Sequence, residues 1–249
     1  LNSQGGIEAD LTVTCLEENI FRVISGSAVR THDKHHILTN INSNIEFKDI
    51  TEEYVCLGVF GPKSRQLLTD VFGNEFKTSA FPFGTGKYLN LQGISIWFQR
   101  LSYVGELGWE LYIPIQHAKK IYHYLIKAGA SYDLIHAGAH AMDIMRMEKM
   151  YLHWGHDISP AENPFEAGLG FAARLEKEEN FIGKQALLKI QKIPLKKQLV
   201  MLTINDSKPG HPLLLHDEPI YCDGKIVGET TSGNYSFNYK KNMSLGYIN

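Results

Sequence analysis

The stretch Arg-Leu-Ser-Tyr-Val-Gly-Glu-Leu-Gly-Trp-Glu-Leu-Tyr at positions 100–112 gathers side chains suited to holding a polar heterocycle. Glycines at 105 and 108 predict a tight turn between strands. Tyr103 and Glu106 then lie near the turn, and Glu110 lies on the returning strand. A carboxylate in a partly apolar cleft accepts two hydrogen bonds side by side, which suits a ring with adjacent N–H donors. A surface hairpin with solvated glutamates fits the same residues equally well.

Eleven histidines raise the question of a metal. His136 and His140 are four apart on an expected helix, but Ala137-Gly138-Ala139 between them supplies no glutamate for a zinc-hydrolase motif. His153, His156 and Asp157 suggest a two-histidine, one-carboxylate set without a third anchor. No metal site is expected. Gly84-Thr85-Gly86-Lys87 has the wrong glycine spacing for a phosphate loop, and Tyr88 stands where Ser or Thr must bind magnesium. Gly168-Leu169-Gly170 lacks a third glycine, so no dinucleotide fingerprint is present and any flavin must be bound by other sequence.

The elements that must position these residues read as mixed. Leu11–Cys15 and Ile20–Ile24 alternate as a hairpin, and a short helix is expected over Thr31–His36. Tyr54–Phe60 is a strand, followed by a helix through Leu67, Leu68 and Val71 with Pro62 in its first turn. Ile94–Tyr103 and Trp109–Ile113 read as strands, the first of them long. Ala118, Ile121, Tyr122, Leu125 and Ile126 share a helical face that Gly129 ends, and a second helix is expected from Ala137 to Tyr151. A short helix ending at Gln191 precedes Pro194. Leu199–Ile204 and a turn at Cys222-Asp223-Gly224-Lys225 then open an all-β unit. Antiparallel strands interleaved with helices place the chain in the α+β class.

Composition narrows the function. At 249 residues, 43% hydrophobic and 21% charged, the chain is a globular one. A formal net charge of −2 excludes the basic footprint of a dedicated nucleic-acid binder. No apolar run approaches the roughly 20 residues of a membrane span. Cys15, Cys56 and Cys222 form neither a disulfide framework nor a CxxC pair, which fits a reducing compartment. The chain opens at Leu1 without methionine and closes on Met243–Asn249, which reads as a strand just begun. A piece of a longer protein is expected.

The pattern Tyr103-x-Gly-Glu106-x-Gly-x-Glu110, with Gly5-Gly6-Ile7-Glu8-Ala9-Asp10-Leu11 upstream, resembles the aminomethyltransferase (glycine-cleavage T-protein) family. Arg146-Met147-Glu148, Asn163-Pro164-Phe165-Glu166-Ala167-Gly168 and Thr231-Ser232-Gly233 carry the same resemblance. The strings Ser102–Leu111 and Phe181–Leu187 are similar to one branch, the C-terminal folate-binding half of dimethylglycine and sarcosine dehydrogenases. The resemblance covers essentially the whole chain.

It implies an α+β T-protein-like fold over residues 1–194, three subdomains around a central tetrahydrofolate site, and the start of a truncated C-terminal β-barrel domain at 195–249. Asp10 matches the catalytic aspartate beside the folate N5 and N10 nitrogens. Glu110 matches the glutamate that grips the pterin, and Tyr103 matches a tyrosine of that pocket. Glu106 and Trp154 complete the candidate folate-binding set. The implied activity is capture of a one-carbon unit as 5,10-methylene-tetrahydrofolate from an N-methylglycine-derived iminium. FAD would belong only to a missing N-terminal flavin domain of the same polypeptide, with no nucleic-acid or membrane partner. The implied compartment is the cytoplasm of a bacterium or the mitochondrial matrix of a eukaryote. Met142 departs from the T-proteins, which carry an arginine there; a methionine cannot clamp an anionic folate tail and is more often core filler. The competing expectation is a non-catalytic relative, the same fold used as a regulatory or scaffold half, as in the regulatory subunit of pyruvate dehydrogenase phosphatase.

Overall fold

A computed structural model describes residues 1–206 and 208–249. The chain divides into two compact units, one of Leu1–Thr39 with Asp143–Asn249 and one of Asn40–Met142. Strands β1 (Thr12–Glu17) and β2 (Ile20–Ile24) pair as the expected hairpin, and helix α1 spans Arg30–Asn40.

The central unit is an antiparallel sheet backed by helices. Strand β3 (Tyr54–Phe60) is followed by α2 (Ser64–Phe72), β4 (Gly86–Leu91), β5 (Ile94–Gln99), β6 (Gly108–Pro114) and α3 (Ala118–Gly129), with sheet order β3-β6-β5-β4. Alternation along β6 puts Trp109, Leu111 and Ile113 on one face, all fully buried. They pack with Ile96 and Phe98 of β5, Leu67 and Leu68 of α2, and Ile121 and Leu125 of α3. Burial of each such side chain is worth ~1.5–3 kcal/mol, and this layer fixes which way β6 faces.

Helix α4 (Ala139–Met147) returns the chain to the other unit, where α5 (Lys184–Ile190) precedes β7 (Gln198–Ile204), β8 (Pro219–Cys222), β9 (Lys225–Ser236) and β10 (Lys241–Ile248). These four strands form an antiparallel sheet in the order β7-β10-β9-β8. Leu199, Leu245 and Tyr247 from it close a core with Ile7, Met147, Leu152, Ile158 and Ala167. No helix among the described residues is long and apolar enough to cross a membrane.

Two element boundaries differ from the sequence reading, and two strands are newly delimited. Strand β5 stops at Gln99 instead of reaching Tyr103, because Ser102 Oγ accepts the Glu106 N–H at 3.0 Å and closes a local turn. Helix α4 stops at Met147 instead of Tyr151: Met150 adopts left-handed backbone (φ 56°), and the Tyr151 N–H returns to the Arg146 carbonyl at 2.9 Å. Strand β4 starts inside the rejected phosphate loop, where a Cβ on Gly86 would come within 2.2 Å of the Trp97 ring. The closing segment lies in β10, which pairs with β7 on one side and β9 on the other.

Candidate functional site

Asp10 sits on a segment that is pinned before β1 begins. Asn2 organises residues 2–6: its Oδ1 accepts the Gly6 N–H at 2.9 Å, and its N–H donates to the Gly6 carbonyl at 3.0 Å. A Cβ on Gly6 would lie 2.0 Å from the Pro160 carbonyl oxygen, so only glycine permits this approach to the Ser159–Glu166 loop. Ile7 then donates to the Glu162 carbonyl at 2.9 Å and accepts the Trp154 indole N–H at 2.9 Å. The paired glycines of the Gly5–Leu11 motif thus anchor the chain just ahead of Asp10.

The surroundings of Asp10 are anionic. Asp10 keeps an exposed surface, yet the protein crowding its carboxyl pushes the acid up from the usual carboxylate range, and the Asp33 charge adds to this. Asp33, on α1, is buried, and its Oδ2 has no protein partner. Its Oδ1 lies 3.0 Å from His32 Nδ1, while His32 Nε2 lies 3.1 Å from Glu8 Oε1. Two carboxylates therefore share one imidazole, which the Asp33 and Glu8 hydrogen bonds hold above its ordinary value. The Trp154 ring packs on His32 with centroids 4.9 Å apart. Trp154, expected to touch folate, spends its indole N–H on Ile7 and its face on His32.

In the central unit, Glu110 occupies the face of β6 opposite the apolar core. Register sets it beside Gly58 of β3 and Gln99 of β5. Tyr112, two residues along the same face, donates its hydroxyl to Glu110 Oε2 at 2.5 Å. Burial pushes the Tyr112 phenol far up, so it stays a neutral donor. Each carboxylate oxygen carries two lone pairs, so Glu110 retains room for a side-by-side donor pair. Trp97, whose indole N–H bonds Gln99 Oε1 at 3.2 Å, completes this polar and aromatic sheet face. Tyr103 and Glu106, half-buried, lie in the 100–107 loop between β5 and β6. Tyr112 is the residue that reading for motifs missed; the two-residue repeat of β6 is the signal that would have found it.

The histidine pairs resolve individually. His136 Nε2 meets the Tyr122 hydroxyl at 2.8 Å. The His153 and His156 rings lie 4.5 Å apart, but the Asp157 carboxylate imagined beside them is committed elsewhere. Among the described residues no group of three His, Cys, Asp or Glu side chains is placed to hold a metal ion. Met142 is 45% exposed and is not core filler.

Family models match nearly the whole chain: the GCVT N-terminal domain over residues 1–177 and the glycine cleavage T-protein C-terminal barrel domain over 197–249. The chain belongs to the glycine-cleavage T-protein family. Mitochondrial sarcosine dehydrogenase of Mus musculus is 35% identical over all of the chain, and mitochondrial dimethylglycine dehydrogenase of Homo sapiens is 36% identical. The chain spans 28% and 29% of their lengths. The mitochondrial pyruvate dehydrogenase phosphatase regulatory subunit of Mus musculus is 31% identical, again over the whole chain. The glycine cleavage system aminomethyltransferase T from Bartonella henselae shares the fold, with a TM-score of 0.84 at 24% identity over all of this chain and 66% of its own.

Several residues that carry the T-protein resemblance turn out to tie one unit together. Arg146, 2% exposed, reaches the Asp157 carboxylate, Ser232 Oγ at 2.8 Å, the Tyr151 carbonyl at 3.1 Å and Asp143 Oδ1 at 2.9 Å. Asp157 also accepts from Thr231 Oγ1 at 2.5 Å, Ser232 Oγ at 2.7 Å and the His153 N–H at 2.9 Å. Glu148 accepts from Ser236 and Asn238. Asn163 Oδ1 caps the Phe165 and Glu166 N–H groups, and the Glu166 carbonyl takes the Leu199 N–H at 2.9 Å. These contacts join α4 and the 153–166 loop to the C-terminal sheet.

Proposed function

We propose that the chain is a tetrahydrofolate-binding one-carbon transfer module of a dimethylglycine or sarcosine dehydrogenase-like protein, an aminomethyltransferase-like domain that forms 5,10-methylene-tetrahydrofolate. In this reading the folate-binding region spans 1–194 and the β domain starts at 195. The donor is a small iminium delivered by an FAD-bearing N-terminal domain of the same polypeptide. A eukaryotic form would work in the mitochondrial matrix and a bacterial one in the cytoplasm.

The observation that carries the reading is the charge around Asp10. Glu8 and Asp33 flank His32, and Asp33 bears on Asp10 as a like charge, so the locality favours a cationic donor and developing positive charge. Tetrahydrofolate supplies the two nitrogens that take up the one-carbon unit. Asp10 opposes the positive charge growing on them and accepts the proton released as the bridge closes. Glu110, held by Tyr112, accepts paired N–H donors from the pterin, with Tyr103, Glu106 and Trp154 as the remaining candidate contacts.

Relatedness to the phosphatase regulatory subunit supports a second reading, a non-catalytic scaffold. Thermal melts with tetrahydrofolate separate the two, since a ligand bound only by the folded state at 100 times its Kd stabilises by about 2.7 kcal/mol. Under the catalytic reading the melt rises with tetrahydrofolate in wild type and in Asp10→Asn alike. Methylene-tetrahydrofolate formation in the variant then falls ~10²–10³-fold, the scale of losing one preorganised group. A melt indifferent to tetrahydrofolate favours the scaffold, and equal product yield from both proteins removes Asp10 from the chemistry.

A further inference from the structure

We propose that His32 is a positioning residue for Asp10: clamped between Glu8 and Asp33, its imidazolium supplies the fixed positive charge that keeps Asp10 available as a base. The inference rests on Asp10 being the working carboxylate, as proposed above.

Geometry fixes the charge state. Both ring nitrogens face carboxylate oxygens, Nδ1 at 3.0 Å from Asp33 and Nε2 at 3.1 Å from Glu8. A neutral imidazole has one N–H and one bare lone pair, so either tautomer would aim a lone pair at an anion; only the doubly protonated ring satisfies both contacts. The Trp154 face at 4.9 Å favours a cation there as well.

The same clamp reaches Asp10 through its partners. Glu8 and Asp10 are two residues apart on the pinned segment, so their Cα atoms can be no more than about 7 Å apart. Asp33, with one oxygen on His32 and the other buried without a protein partner, acts on Asp10 as a like charge. Among the described residues the charged groups facing His32 are Glu8 and Asp33. Removing the imidazolium would strip Asp33 of its cationic partner beside Asp10, and Asp10 would hold its proton to higher pH. A structural residue would need only to fill the space beside Trp154.

The test is a carbon-13 NMR titration of Asp10 in the full chain with labelled aspartate, the signal assigned through its loss in Asp10→Asn. His32→Gln keeps hydrogen bonding and removes the charge; His32→Arg keeps a cation. Asp10 is expected to titrate about one pH unit higher in His32→Gln, the low end of the effect of a nearby charge. His32→Arg should hold it near the wild-type midpoint. Coincident Asp10 titrations in wild type and His32→Gln, or equal displacement in both variants, would overturn the inference. The pH profile of methylene-tetrahydrofolate formation adds a second readout. Its acid limb should move up in His32→Gln and the rate should recover at alkaline pH, whereas a merely structural loss lowers the rate at every pH. If wild type forms no product while the NMR shift is present, the proposed function fails and the coupling of His32 to Asp10 stands.

Discussion

Asp157→Asn should be among the most damaging conservative substitutions in this chain. The Asp157 carboxylate is fully buried and accepts four donors: Arg146, Thr231, Ser232 and the His153 N–H. The asparagine keeps the shape but removes the charge, and its amide turns donors toward Arg146 or the hydroxyls. Arg146, 2% exposed, then keeps the Asp143 pair, through a side chain that is 36% exposed. Breaking a buried pair on one side costs about 3–5 kcal/mol. Because Asp143 still compensates part of the guanidinium charge, the lower end, about 3 kcal/mol, is expected. For a chain of this size that lowers Tm by roughly 6–12 °C. The assay is a thermal or urea melt of wild type, Asp157→Asn, Arg146→Met and the double variant. The double variant should lose clearly less than the two singles together, because it removes both charges. A loss under about 1 kcal/mol in Asp157→Asn, or strict additivity in the cycle, would refute the assignment of this network as the tie between α4 and the C-terminal sheet.

Glu110→Gln should weaken tetrahydrofolate binding roughly 10–100-fold, the value of a charge-assisted hydrogen bond, while leaving the melt of the unliganded chain nearly unchanged; titration calorimetry checks it. Two histidines should shape stability in opposite senses. His32 is held above its unfolded value, so its contribution is complete below about pH 6.5 and fades as pH rises through the folded pKa. His153 is held below its unfolded value by burial, then by His156 and Arg146, so its contribution is complete above about pH 6.5 and fades as pH falls through the folded pKa. Urea melts across pH 5–8 should lose the alkaline-side decline in His32→Gln and the acid-side decline in His153→Leu.

Where periodicity was strong, elements were legible from sequence. Tyr54–Phe60 is β3 residue for residue, and the apolar stripe ending at Gly129 is α3. What failed were boundaries set by single atoms. Helix α4 ends through a left-handed Met150, a position where glycine is the expected marker, so nothing in the composition announced the stop. Strand β5 ends through a serine hydroxyl reaching four residues ahead. Gly86, in a stretch whose glycine spacing already excluded a phosphate loop, makes room for the Trp97 ring. The candidate site was legible as residue types, Asp10 and Glu110, while their supporting groups were not. His32 and Asp33 lie more than twenty residues from Asp10, and no local pattern connects them.

The structure also separates two kinds of evidence within the family resemblance. Arg146, Glu148, Asn163, Glu166, Thr231 and Ser232 are spent on one another and on the backbone, so their presence testifies to the fold. A scaffold with no chemistry would need every one of them. Glu8, Asp10, Asp33 and Glu110 are different, because a scaffold gains nothing from a buried carboxylate oxygen without a partner, or from an exposed acid pressed toward its protonated form. Buried unpaired charge lowers stability, and retaining it requires a compensating use. The case for catalysis over scaffolding therefore rests on Glu110 in the central unit and, in the other unit, on the acids gathered around His32.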